Sequence, residues 1–392
     1  MKTTFYEMDK LSTFLASKKT ILARGAVAQV GPEAKKLGAS RALVVTDQGV
    51  VKAGLSEAVR ESLSAAGLQV GVFDGVLPEP PARIIDQCAE VFRQDGYDLC
   101  LGLGGGSSLD SAKMVAALAV NPGSVLDYVG LDVVPKKGAP LILAPTTAGT
   151  GSEATRVTVL TDESDNTKKV VYSDYLLPDL AILDPDLTLS MPPSVTADTG
   201  LDALVHAIET YVSVNTTPYA EILSLQAIAM IARHLPQAHA KGGNPQARYN
   251  MLLAANLAGS AFASGGLGAV HGLAYVLGTE YHMAHGRSNA IMLPHVMEFN
   301  LSGSLEKYAD VAEAMGEETM GLSPYEAASL SVDAVRSLMR AVNVSDCLGD
   351  YGISREDLPK LVQGGMAQAR LFVPNPRDLS EADVEQIYAN AF

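Results

Sequence analysis

Short, nearly continuous apolar runs alternate with amphipathic ones through the first half of the chain. RALVVTD (41–47), QVGVFDGV (69–76), YDLCLGLGGG (97–106) and APLILAPTT (139–147) have the length and apolar content of strands. AGLSEAVRESLSAAG (53–67), PARIIDQCAEVFRQDG (81–96) and SSLDSAKMVAALAV (107–120) carry apolar residues at helical spacing. Strands that lack polar alternation are buried on both faces, so this order predicts a parallel sheet covered on both sides. After Pro185 the strand signal fades. The run LTLSMPPSVTADTG marks a crossing, with Pro192-Pro193 to break regular structure and Ser194 or Thr196 as candidate helix caps. From there the periodicity is helical to the end of the chain. The expected organisation is an α/β domain of the nucleotide-binding type over residues 1–187 and an all-helical domain over 188–392.

Composition narrows the possibilities. With 392 residues and 47 % apolar content the chain can bury a substantial core. A net charge of −15 argues against nucleic acid and anionic membrane as partners. Three cysteines, none in a CxxC pair, fit a reducing, cytoplasmic setting. The opening MKTTFYEMDKLSTFLASKK lacks an apolar core of signal-peptide length. Residues 249–279 contain no charged side chain, but Asn250, Asn256, Ser260, Ser264, Gly265-Gly266 and His271 interrupt them. They read as two core helices and not as a membrane span.

The candidate chemistry lies in the histidines. There are seven, and none precedes residue 206. In LDALVHAIETYV, Asp202 and His206 stand at i and i+4 and share a helical face, as two ligands of one metal ion would. A surface or supporting pair has the same spacing. The glycine-rich, apolar surroundings of His271 in GAVHGL and His285 in MAHGRSNAIMLPH favour the metal reading, since solvated histidines rarely have such neighbours. On one straight helix His271 and His285 would lie roughly 21 Å apart. The chain must therefore turn between them, and Gly278 and Gly286 are the places expected for it. One carboxylate and three imidazoles suit Fe(II) or Zn(II) and leave a position for substrate.

Two glycine-rich turns follow strands. GLGGGSSLDSAK (102–113) opens a helix, which aims backbone N–H groups and a helix dipole at an anion. It is neither a P-loop nor a strict GxGxxG, and a tight turn without ligand has the same appearance. PTTAGTGSE (145–153) adds the hydroxyls of Thr146, Thr147 and Thr150 at a second strand end, which favours a dinucleotide. Asp47, ending the first strand, either accepts hydrogen bonds from an adenosine ribose, which selects NAD over NADP, or caps the next helix.

As a set, GGGSSLDSAK, PTTAGTGSE, LDALVHAIE, GAVHGLAYVLG and HGRSNAIMLPHVMEFN resemble the iron-dependent (group III) alcohol dehydrogenase family, which includes lactaldehyde reductase and 1,3-propanediol dehydrogenase. The resemblance runs from Asp47 to the closing NPR (375–377). It implies a Rossmann-like N-terminal domain, a helical C-terminal domain and a small primary alcohol or aldehyde as substrate, with NAD and Fe(II), or Zn(II), as cofactors. It also implies a homodimer or larger homo-oligomer. By motif position, Asp202, His206, His271 and His285 match the metal ligands. Gly105, Gly106 and Ser107 match the pyrophosphate turn, and Asp47 matches the residue that sets cofactor preference. Thr146, Thr147, Thr150 and Lys169 match cofactor contacts, and Phe262 matches a residue lining the nicotinamide and substrate pocket. The implied reaction is hydride transfer between the nicotinamide and a primary alcohol activated by the metal.

Two departures stand out. Many members read HGxAH, with the second histidine assigned to substrate positioning or proton transfer, where this chain has His271-Gly-Leu-Ala-Tyr275, so that role is not carried over to Tyr275. Its phenol, with an ordinary pKa near 10, is expected to shape the pocket and not to accept protons. The run LPEPPA (77–82) replaces the usual PNP and puts Glu79 where an amide would stand. Alternatives are a hydroxy-acid or semialdehyde dehydrogenase of the same family, with Arg287 pairing a substrate carboxylate, and a zinc-dependent dehydroquinate synthase-like enzyme. The favoured reading of Arg287 is the plainer one, a salt bridge to a nearby acid such as Glu280.

Overall fold

A computed structural model describes residues 11–165 and 167–392. Part of the N-terminal stretch considered for a signal peptide, residues 1–10, lies outside them. One compact unit comprises Ala16–Gly200 with His234–Gly259, and a second has Leu201–Arg233 and Ser260–Phe392 as its body.

The first unit is built on six strands: β1 (Thr20–Leu22), β2 (Arg41–Val45), β3 (Gln69–Phe73), β4 (Leu99–Gly104), β6 (Leu141–Pro145) and β9 (Leu180–Leu183). Between them run β5 (Gly130–Leu131), β7 (Val157–Asp162) and β8 (Thr167–Tyr172). The six form one all-parallel sheet in the order β1-β9-β6-β4-β2-β3. Helices α1 (Val30–Lys36), α2 (Gln48–Lys52), α3 (Leu55–Ala65), α4 (Ala82–Gln94) and α5 (Gly106–Leu118) connect and cover it. Alternate residues of one strand serve opposite faces. Leu43, Val45, Cys100, Leu141 and Leu143 join Ile85, Ala89, Phe92 and Leu109 in one core. Ala42, Val44, Leu99, Leu101 and Ile142 join Val30, Ala34, Val59 and Leu63 in the other. That is why β4, β6 and β2 after Arg41 are apolar throughout.

The chain leaves β2 towards β3 on one side and leaves β4 towards β6 and β9 on the other. The strand order thus reverses between β2 and β4, and ligands of open parallel sheets bind at the carboxyl ends of the strands flanking such a switch. Asp47 follows β2, and Gly104 ends β4.

Strands β1, β5, β7, β8 and β9 do not stand out in the apolar pattern. β1, β5 and β9 have only two to four residues each. β7 and β8 pair antiparallel, with β5 parallel to β8, in a separate sheet whose positions are mostly half-buried.

The helical elements after the crossing are α6 (Pro193–Val212), α7 (Pro218–Ala240), α8 (Pro245–Gly265), α9 (Ala269–Tyr281), α10 (His285–Asn300), α11 (Leu305–Met315), α12 (Pro324–Ala341), α13 (Leu358–Met366) and α14 (Glu381–Asn390). Residues 234–259, read from the sequence as part of the helical domain, pack with the α/β unit. The buried Arg248 guanidinium donates to Met191 O, Gly242 O and Thr196 Oγ1 at 3.1, 2.9 and 2.8 Å. Asn256 Nδ2 donates to Glu153 Oε1 at 2.8 Å. Periodicity along the chain reports that a segment is helical but not which core receives it. No single helix among the described residues is long and apolar enough to cross a membrane.

Candidate active site

Asp202 and His206 lie one turn apart on α6, His271 lies in the first turn of α9, and His285 is the first residue of α10. Their ligand atoms all fall within 4.8 Å of one another. Asp202, His206 and His271 are buried, and His285 is partly open, with 41 % of its side chain exposed. The turn that lets His271 and His285 meet is not made at a glycine. Gly278 sits inside α9 and Gly286 inside α10. The chain reverses at His282, which ends α9 with φ 55° in the left-handed region, a conformation in which His is enriched. Met283 N–H closes the cap on Leu277 O at 3.2 Å.

Glu209, which the motif reading passed over, stands behind His271. Its Oε2 meets His271 Nδ1 at 2.5 Å, and its Oε1 accepts from Val270 N–H at 2.6 Å. With Nδ1–H donated to the carboxylate, the lone pair of His271 sits on Nε2, facing the ligand cluster. The signal was present in the sequence, because Asp202, His206 and Glu209 occupy one face at i, i+4 and i+7. A second unanticipated residue, the fully buried Asn289, donates from Nδ2 to Asp202 Oδ1 at 2.7 Å.

Electrostatics favour a cation here. Burial, assisted by the neighbouring His271 and His285, pushes the His206 imidazole down to about 4, against the pull of Asp202. It is therefore neutral, the form in which imidazole binds metals. Burial would raise the Asp202 carboxyl, but the three imidazoles and the Asn289 N–H outweigh it and hold it below the usual carboxylate range. Burial would lower His271, and the charge and hydrogen bond of Glu209 reverse that. One buried carboxylate among three imidazoles is a donor set that fits a borderline divalent ion.

Five aromatic rings run through this region. Phe262 stacks on His206 with centroids 4.9 Å apart, and His206 on His271 at 4.9 Å. His271 meets His285 at 5.4 Å, and Tyr275 lies 6.1 Å from His285. Phe262 and Tyr275 thus flank the imidazoles at the two ends of the row. Arg287 lies over the Tyr351 ring at 5.6 Å, and Glu280 pairs with Lys360.

In the α/β unit, the two glycine-rich turns adjoin. Gly104 has φ 148°, and a Cβ there would lie 2.6 Å from Ser108 Oγ. A Cβ on Gly106 would come within 2.8 Å of Thr150 Cγ2, and one on Gly105 within 3.6 Å of Thr147. Thr146 N–H donates to Gly104 O at 2.9 Å, tying the second turn to the first. Ser107 Oγ accepts from Glu79 N–H at 3.2 Å. Asp47 does cap α2, through Val50 N–H at 3.0 Å, and its other oxygen accepts from Ser108 Oγ at 3.2 Å. Lys169 is engaged elsewhere: its Nζ pairs with Asp165 at 2.6 Å within its own hairpin. Successive strand residues face opposite ways, so Lys168 points to the other side and bridges Glu79 at 2.8 Å, next to the Ser107 turn.

Residues 17–185 match the family described as iron-containing alcohol dehydrogenase, and residues 196–392 match the Fe-containing alcohol dehydrogenase family, C-terminal. The chain belongs to the iron-containing alcohol dehydrogenase family. It is 45 % identical over 371 residues to long-chain-alcohol dehydrogenase 1 of Geobacillus thermodenitrificans (strain NG80-2), covering 94 % of this chain and 93 % of that protein. Among solved structures, 1,3-propanediol oxidoreductase superposes with a TM-score of 0.95 at 38 % identity, covering 98 % of this chain and 100 % of that one. Sulfoacetaldehyde reductase from Bifidobacterium kashiwanohense, solved in complex with NAD+, gives 0.89 at 27 % identity, covering 97 % and 98 %.

Proposed function

We propose that the protein is a metal-dependent alcohol dehydrogenase and aldehyde reductase that exchanges hydride between NAD(H) and a small primary alcohol or aldehyde. The observation that carries this reading is the convergence of Asp202, His206, His271 and His285 from three helices onto one point. These four residues would hold a divalent ion, Fe(II) or Zn(II), which supplies Lewis acidity at the substrate oxygen. Glu209 orients His271. Phe262 gives the cluster an apolar flank, and Tyr275 shapes the region beside His285, the most exposed ligand.

For the cofactor, Gly105, Gly106 and Ser107 would receive the pyrophosphate at the start of α5, with Thr146, Thr147 and Thr150 beside them. Asp47 would accept from the adenosine ribose and repel a 2′-phosphate. Lys168, and not Lys169, is the cation proposed for this site, because it reaches Glu79 beside the Ser107 turn. We further propose a cytoplasmic homodimer or larger homo-oligomer. Support comes from three unpaired cysteines and from the exposed apolar side chains Val214, Tyr219 and Ile222.

The test is an NADH-linked screen of small aldehydes and alcohols on protein reconstituted anaerobically with Fe(II), and separately with Zn(II). Turnover of at least one small aldehyde is expected, lost on chelation and regained on adding metal. Stoichiometric metal uptake with no turnover on any of them would overturn the proposed activity.

A further inference from the structure

Asn289 lies within hydrogen-bond distance of three of the four ligand atoms, although it is not itself one of the four residues. It lies on α10 one turn after His285, so both side chains share a face of that helix. Its side-chain nitrogen is 2.7 Å from Asp202 Oδ1, 3.1 Å from His271 Nε2 and 3.2 Å from His285 Nε2. The side chain is fully buried. A carboxylate oxygen only accepts, so the amide N–H is the end that faces Asp202.

We propose that Asn289 is a positioning residue of the metal centre, fixing the donor atoms of Asp202, His271 and His285 at the spacing one divalent ion requires. The inference rests on the reading of those residues as metal ligands. Three physical points support it. A buried carboxylate needs a hydrogen-bond donor to stay ionised, and Asp202 is 2 % exposed. A lysine or arginine would supply that donor but would repel the cation, whereas an amide carries no charge. A carboxylate oxygen also has two lone pairs, so the Asn289 bond persists while the other pair is given to a metal. An imidazole Nε2 has one, so towards His271 and His285 the amide acts as a spacer.

The experiment uses Co(II) as the probe, added to the metal-free full chain. Affinity is read by chelator competition and coordination by the visible d–d bands. Asn289→Leu keeps the approximate volume and removes the donor. Asn289→Ser, whose hydroxyl is too short to span the same distance, serves if leucine is not accommodated, and circular dichroism checks both folds. Loss of a residue that orients ligands is expected to weaken Co(II) binding by about 10–100-fold and to change the d–d spectrum. A merely structural role would lower the melting temperature of the metal-free protein and leave both readouts unmoved. Variants that bind Co(II) within twofold of wild type, with its spectrum, would overturn the inference while the metal site stands. Wild-type protein that takes up no Co(II), or a His206→Ala variant that binds as well as wild type, would overturn the metal reading and this inference with it.

Discussion

In the helical unit the chemistry-bearing groups are side chains. Four donors come from three helices, and each buried one leans on a neighbouring group: His271 on the buried Glu209, Asp202 on the buried Asn289, His206 on the half-buried Phe262. In the α/β unit the candidate cofactor site is largely main chain. It consists of glycines packed against Thr147, Thr150 and Ser108, at the strand ends where the sheet order reverses. A side-chain site is lost when one atom is removed, because each donor has a single place in the coordination set. A main-chain site tolerates the loss of most side chains and fails when a Cβ is added. Sensitivity to deletion should therefore be steep in the first region and graded in the second.

The sharpest break is His206→Ala. Removing one of four donors should eliminate bound metal and turnover while far-ultraviolet circular dichroism stays that of the wild type. Metal analysis of the purified variant decides it, and full occupancy would remove His206 from the ligand set. Next in size is Glu209→Gln. The amide can still meet His271 Nδ1 but carries no charge, so metal affinity should fall by about 10–100-fold. A chelator competition that finds no change would mean that the 2.5 Å contact contributes packing alone.

Asp47→Gly probes the other region. Glycine at a helix N-cap costs only a few tenths of a kcal/mol relative to aspartate, so the fold should persist. The ratio of kcat/KM for NADP to that for NAD should rise, because the carboxylate that would repel a 2′-phosphate is gone. A wild-type preference for NADP would count against the assignment. The smallest effect is expected at Tyr275→Phe, which keeps the ring beside His285 and removes only the hydroxyl. Steady-state kinetics should show a loss of less than about tenfold. A loss of about a thousandfold would instead mark an essential proton or hydrogen-bond donor.

Much of this molecule can be read along the chain, and the limits of that reading are specific. Apolar runs without polar alternation announced β2, β4 and β6, because burial on both faces leaves no exposed side, and the edge strand β3 was announced by its apolar run although it stays partly exposed. β7 and β8 escaped, since most of their positions are only partly buried and they pair outside the main sheet. A strand turns each successive residue over, so Lys168 reaches Glu79 while its neighbour Lys169 reaches Asp165, a difference that the motif alone does not record. Glu209 was within reach of helical spacing, but its purpose required knowing that His271 lies against it.

The sequence by itself determined the strongly periodic elements, the carboxylate and imidazoles available as donors, and the two glycine turns that only residues without a Cβ can make. Local periodicity and side-chain chemistry are properties of a few neighbouring residues, so they survive in one dimension. Only the tertiary structure decided that α9 reverses at His282 and not at a glycine, that residues 234–259 pack with the α/β unit, and that Asn289 and Glu209 stand against the ligands. Those outcomes depend on which buried polar groups find partners. Arg248 reaches a carbonyl 57 positions away, and Asn289 a carboxylate 87 positions away. Such pairings are selected by the free energy of leaving a buried donor unsatisfied, which no local pattern records.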